Sequence, residues 1–350
     1  MQPQVNPDMV VLARESRGFT QSALAEKLTI PQTLLSRIEH GIKSEIPESI
    51  FNGLSEKLFY PKSFFYQNGH IMPISTQLQY RRRVNLKAQD QKRIEAEANI
   101  ARLHIKKMLQ DFNIETNIKY FYLDEYNGSP EAIAKAARLF WKVPRGRINN
   151  VTELLESNGI IVVSMNFNSP LVDGFSIYDG KLPPQIFINN DVSGDRFRFT
   201  LTHELGHILM HNTHTVTMED EAHRFAAEFL MPEVEISAEL QQNLDIPRLA
   251  DLKQYWQVSM AAIAMRAKNL GKITDGQYRY LCMKMSSAGY RKREPVEIPQ
   301  EKPKLLQSLV NSHLDQLGYS IEDLSRILCI NTDEFQSIYV PTFNKLRLTK

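Results

Sequence analysis

Apolar residues recur at helical spacing over residues 9–40, in short runs divided by tight turns, which predicts a set of small helices. The helical pattern continues through 41–75 and ends in an aromatic, proline-containing stretch: Phe59, Tyr60, Pro61, Phe64, Phe65 and Tyr66. Residues 76–112 read as one long basic helix, and 128–157 as two helices split by a turn around Pro144 and Gly146. The texture changes at 159–165, where Ile160, Ile161, Val162 and Val163 form a β-branched run, followed by two more short strands at 174–178 and 185–189. A helix then spans 195–211. Another spans 219–230 and stops at Met231-Pro232, where proline cannot continue it. Three short helices fill 246–290, residues 289–300 read as a linker, and 303–337 return to helix.

This pattern predicts a mostly α chain with one small β-sheet. The expected division is an all-α helix-turn-helix domain over 1–75, a basic helical linker over 76–127, an α+β domain over 128–295 and a C-terminal helical segment over 296–350. A weak internal echo accompanies it: Gly18, Phe19, Thr20, Leu24, Leu28 and Ile30 recur as Gly318, Tyr319, Ser320, Leu324, Leu328 and Ile330. The second helix of the C-terminal copy opens with Asp333-Glu334, which would face phosphates badly, so that copy is expected to serve packing or dimerisation.

Charge narrows the choice of partner only through its distribution, because 42 Lys and Arg stand against 40 Asp and Glu. Cys282 and Cys329 lie far apart and outside any metal-ligand spacing, so both are expected to be buried small residues in a reducing compartment. No basic segment followed by an apolar run opens the chain, and no apolar stretch reaches the length of a membrane span. The expectation is a cytoplasmic protein without a membrane partner.

The sharpest chemical signal is His203-Glu204-Leu205-Gly206-His207. Positions i and i+4 share a helix face, so two imidazoles at this spacing can converge on one tetrahedral ion, with Glu204 placed as general base. The plain alternative is a helix carrying two solvated or core histidines. A catalytic zinc needs a third protein ligand and one open position. Ala222, Phe225, Ala226 and Phe229 form an apolar stripe that would pack the next helix against the first, and Glu219 falls near that stripe's face. Glu221 points roughly away, and Glu228 lies two turns on. His211 and His214 could stabilise an oxyanion or be surface or supporting histidines. Asp173 and Tyr178 sit where they could touch a substrate. The strand at 185–189 is either a sheet edge that pairs with an extended peptide or a core strand beneath the metal helix.

The run from Arg198 to His211, residues 219–232, Val258-Ser259-Met260-Ala261-Ala262 and residues 289–295 together resemble the ImmA/IrrE metallopeptidases, over about 130–295, which implies that the α+β domain is a zincin-like metallopeptidase domain. The resemblance implies a third ligand in the pattern Glu-x-x-(Ala/Cys)-Asn, which selects Glu219, with His223 standing where the family usually has asparagine. It implies one zinc per chain; a carboxylate-containing site also accepts manganese or iron. The implied substrate is a transcriptional repressor with its own helix-turn-helix.

At the N-terminus Thr20 suits the cap of a short amphipathic helix, Thr29-Ile30-Pro31 makes a turn, and residues 32–40 form a second helix ended by Gly41. This stretch resembles the Cro/phage-repressor (XRE) helix-turn-helix over about 9–66. The resemblance implies that Gln21 touches phosphate, that Gln32, Thr33 and Ser36 face bases with Arg37 beside them, and that Arg14 and Glu39 form an ion pair. Leu34 departs from the usual small polar residue. Residues 1–60 carry six basic and seven acidic side chains, so this domain alone should bind DNA weakly. Arg81-Arg82-Arg83 and the basic helix that follows, or a homodimer, would supply what is missing. Two functions remain in view: a zinc endopeptidase that removes a repressor, and a DNA-binding regulator or antitoxin-like protein whose metallopeptidase domain is gated or sensory.

Overall fold

The computed structural model describes residues 4–43, 45–69, 71–72, 86–213, 215–240 and 244–340. The chain forms two compact units, one from residues 1–114 with 305–350 and the other from 115–304.

The first unit opens with α1 (Pro7–Ser16), α2 (Gln21–Lys27), α3 (Gln32–Glu39) and α4 (Glu48–Leu58), then a 3-10 turn at Lys62–Tyr66 and the long α5 (Ala88–Met108). Thr20 caps α2 by accepting from the Ala23 amide at 3.2 Å. Leu24, Ala25, Leu35 and Ile38 pack with Met9, Leu12, Leu54, Phe64 and Phe65 in one core. Leu34 is half-buried against that core, so its departure from a polar residue serves packing. The Arg14 guanidinium reaches both Glu39 oxygens, at 2.6 and 3.0 Å, and ties α1 to α3. The long basic helix is observed from Ala88; Arg81, Arg82 and Arg83 lie outside the described residues.

The same unit closes with α14 (Leu305–Asp315), α15 (Ile321–Leu328) and α16 (Thr332–Tyr339). The echo in the sequence is an echo in structure, since Ser320 caps α15 as Thr20 caps α2. Glu334 accepts two hydrogen bonds from Arg17, at 2.7 and 2.8 Å, and Tyr339 Oη lies 2.8 Å from His104 Nδ1. The C-terminal copy is thus pinned to the N-terminal helices and does not stand as a separate segment.

In the second unit a 3-10 turn (Leu123–Tyr126) precedes α6 (Pro130–Phe140) and α7 (Val151–Ser157). Then come β1 (Ile161–Met165), β2 (Gly174–Ile177), β3 (Gln185–Asn189), α8 (Gly194–Met210), α9 (Met218–Leu230) and α10 (Glu233–Ile236). Finally α11 (Ile246–Trp256), α12 (Met260–Asn269) and α13 (Asp275–Ser287) complete the unit. The sheet order is β1-β3-β2, with β1 parallel and β2 antiparallel to β3. This removes one expectation: the strand at 185–189 is central, both its edges are paired, and it cannot accept a peptide. It is the core strand beneath α8. Cys282 is also only half-buried, because α13 lies at the margin of the core, whereas Cys329 is buried.

Residues 289–300, expected as a linker, run along the second unit and are fixed to it. Glu294 accepts from Lys253 Nζ at 2.6 Å and from the Met260 amide at 3.0 Å. Glu301 accepts from the Val151 and Thr152 amides, at 3.0 and 2.7 Å, so it completes the α7 N-terminus that Asn150 caps, and it pairs with the guanidinium of the buried Arg198. The reason is electrostatic: a guanidinium buried in α8 needs a carboxylate, and the strap delivers it. Gly194 opens α8 directly under this strap, where a Cβ would come within 2.3 Å of the Ile298 carbonyl oxygen. Among the described residues no helix is long and apolar enough to cross a membrane.

Glu301→Ala leaves Arg198 buried without its carboxylate and the Val151 and Thr152 amides without their acceptor, while Asn150 still caps α7. Urea unfolding should show a loss of about 3–5 kcal/mol; an unchanged midpoint and slope would contradict this account of the strap.

Candidate metal centre

The site is built where α8 and α9 cross. Gly206 makes the crossing close: a Cβ there would stand 3.1 Å from Phe225 Cδ1 and 3.4 Å from Ala222 Cα. The small Ala222 and the stripe of Phe225, Ala226 and Phe229 are buried, as their helical spacing predicts. With the helices this near, Glu219 at the start of α9 reaches the face of α8 that carries His203 and His207.

The three side chains converge. His203 Nε2 and His207 Nε2 lie 3.1 Å apart, Glu219 Oε2 is 3.4 Å from the first, and Glu219 Oε1 is 3.4 Å from the second. Two ligands held about 2.0–2.1 Å from a tetrahedral ion stand roughly 3.3 Å apart, so the spacing suits a zinc-sized cation. Among the described residues this is the one cluster of three His, Cys, Asp or Glu donors within 4.8 Å of one another. The electrostatics agree with the geometry. Burial pushes the His203 imidazole down to about 3, which keeps it neutral with a lone pair to offer. Burial acts to raise the Glu219 carboxyl, but the hydrogen bonds with His203 and His207 outweigh it and hold it well below the usual carboxylate range. Metal ligation requires both rings to be neutral, so the donor set would then carry one negative charge, which a divalent cation more than balances.

Glu204 is buried between the two histidines. Its Oε2 accepts from Ser176 Oγ at 3.1 Å. The contact follows from register. Gly174 and Ser176 lie on one face of β2, and Thr200 and Glu204 lie one turn apart on α8. A Cβ on Gly174 would stand 2.8 Å from Thr200 Cγ2, so the glycine lets the strand run beside the helix. Nothing in the one-dimensional pattern singled out Ser176, because the link depends on which strand lies under α8.

The other candidates sort plainly. Neither nitrogen of His211 is left for an oxyanion: Nδ1 lies 2.9 Å from His207 Nδ1, and Nε2 lies 2.9 Å from Glu221 Oε2. Burial lowers the pKa of this ring, then the neighbouring His207, against the pull of Glu221. Glu221, expected to point away, is not one of the three clustered donors, but it reaches the site through His211. His223 is exposed; its Nδ1 lies 2.8 Å from the Glu219 carbonyl oxygen and its ring 4.4 Å from that of His203. Asp173 accepts from Arg196 Nε at 2.8 Å, Tyr178 is half-exposed, and His214 lies outside the described residues.

In the first unit Gln32, Thr33 and Arg37 are exposed on α3 and Ser36 is half-buried. Gln32 Nε2 donates to Gln21 Oε1 at 2.8 Å, and Gln21 Nε2 donates to Glu39 Oε2 at 2.7 Å. The buried Arg14–Glu39 pair therefore extends outward as an ordered chain that orients both glutamines.

Residues 155–268 match the family model described as the IrrE N-terminal-like domain, a peptidase family, and residues 12–65 match the one described as helix-turn-helix. Comparison with curated proteins gives no match.

Gly206→Val puts branched carbons where Phe225 already stands. The expected result is a stability loss of about 1–3 kcal/mol, with weaker zinc binding in a chelator competition. Unchanged zinc affinity would show that the close crossing does not set the site.

Proposed function

For a chain that joins a helix-turn-helix domain to a peptidase-family domain of the IrrE N-terminal-like type, we propose a zinc-dependent regulatory endopeptidase. The observation that carries this reading is the convergence of His203, His207 and Glu219 around one point, with Glu204 buried on the same helix. A centre that only bound metal would have no use for a carboxylate set between its histidine ligands and aimed by a strand hydroxyl.

His203, His207 and Glu219 would hold the ion and leave a fourth position open. When bound there, zinc would supply Lewis acidity toward a peptide carbonyl and toward water, whose pKa falls to about 7. Glu204 would accept the proton of the attacking water and return it to the departing amine. Ser176 would hold the Glu204 carboxylate in one orientation and leave the proton transfer itself to the glutamate. The substrate class follows from the family resemblance: a repressor with a helix-turn-helix of its own, whose removal frees a set of genes.

The α3 face is the proposed DNA reader. Gln32, Thr33 and Ser36 would meet base edges with Arg37 beside them, and Gln21 would meet a phosphate. With one N–H of its Nε2 given to Gln21, Gln32 keeps a second N–H and its amide oxygen for a base edge. Gln32→Ala should reduce discrimination at one base pair by about 1–3 kcal/mol, read by competition between operator variants. Equal loss on all sequences would assign Gln32 to the backbone instead.

The deciding assay mixes the zinc-loaded chain with helix-turn-helix repressors encoded near it. New fragments that vanish both in Glu204→Gln and with a chelator establish the peptidase. Intact repressors, together with sequence-specific DNA binding by the same preparation, would overturn it in favour of a DNA-binding regulator.

A further inference from the structure

Two side chains behind the donor cluster, His211 and Glu221, form a directed line with His207. Glu221 Oε2 lies 2.9 Å from His211 Nε2, His211 Nδ1 lies 2.9 Å from His207 Nδ1, and His207 Nε2 is the atom that faces His203 and Glu219. The His211 side chain is 4% exposed and that of Glu221 17%, so water competes little for these contacts.

The positions of the protons follow from the atoms. An ionised carboxylate only accepts, so His211 Nε2 carries hydrogen. In a neutral ring His211 Nδ1 is then an acceptor, and the nitrogen facing it, His207 Nδ1, must donate. A neutral His207 protonated at Nδ1 keeps its lone pair on Nε2, inside the cluster. The reverse arrangement fails at each step. A proton on His211 Nδ1 would move the His207 proton to Nε2 and remove one donor.

We propose that Glu221 and His211 are positioning residues that fix the tautomer and ring plane of His207, so that the metal centre is ready before any ion arrives. Metal-ligating histidines commonly give their second nitrogen to a carboxylate or carbonyl. Here the carboxylate acts through an intervening imidazole, and it comes from the helix that also supplies Glu219. The C-terminal half of α8 is thereby tied to the start of α9 twice, once through the ligand and once through the relay. The inference rests on the reading of His203, His207 and Glu219 as ligands.

The test uses the full chain labelled with nitrogen-15 at histidine. Long-range proton–nitrogen correlations of the zinc-loaded protein should show His207 protonated at Nδ1 and bound through Nε2, and His211 protonated at Nε2 only. Glu221→Ala should weaken zinc binding about 10–100-fold in competition with a chromophoric chelator and abolish the single His211 tautomer. Glu221→Gln, whose amide oxygen still accepts from Nε2, should recover most of the affinity and the original pattern. Should the alanine variant not fold, the parent spectrum and the glutamine variant still decide. A parent protein that binds zinc with His211 protonated at Nδ1, or an alanine variant that binds as the parent does, overturns the relay alone. A parent that takes up no zinc overturns the metal centre, and the relay falls with it.

Discussion

The second unit is organised around the close approach of α8 and α9 at Gly206. Side chains on one helix can be brought to one face by phase alone, and His203 and His207 are. A third donor must come from another helix, and how near that helix can pass is decided by the smallest residue at the crossing. Gly206 against Ala222 and the Phe225 ring sets that distance. From it follow the 3.4 Å separations of Glu219 from both histidines, the reach of Glu221 to His211, and the burial of the apolar stripe between the helices.

The rest of the unit holds α8 in place from its other sides. The buried Lys253 joins Asp195 in the first turn of α8, at 2.6 Å, to Glu294 of the strap, and Arg198 one turn on meets Glu301. Buried ion pairs of this kind add little net stability compared with apolar packing, but they tolerate only one arrangement of the charges. They fix the axial position of a helix whose central turn carries His203, Glu204 and His207. β2 completes the frame, since Gly174 admits the strand alongside Thr200 and so places Ser176 against Glu204.

Much of this was legible in the chain, and what was not has a common physical cause. The spacing of His203 and His207, the stripe at Ala222, Phe225, Ala226 and Phe229, the Pro232 stop and the Thr20 cap are local signals, and local signals carry within one element. Even the C-terminal echo of the N-terminal helices was visible as matched turn and core positions. Relations between elements were not. The order β1-β3-β2 placed the strand at 185–189 in the middle of the sheet, although its sequence suits an edge equally well. Helical phase separates Glu221 from Glu219 but says nothing of His211 at the end of the preceding helix, which brings Glu221 to the site. The segment 289–300 looked like a linker because the partners of its Glu294, Lys253 and the Met260 amide, are distant in sequence.

The central claim is that three side chains of this unit make one open metal centre. X-ray absorption at the zinc edge of the zinc-loaded chain tests it most directly, with Glu219→Ala measured beside it. The account predicts two imidazole nitrogens and a carboxylate oxygen about 2.0–2.2 Å from the metal, a further light-atom ligand from solvent, and loss of the carboxylate scatterer in the variant. A first shell with sulfur, with four imidazoles, or unchanged by Glu219→Ala would contradict it.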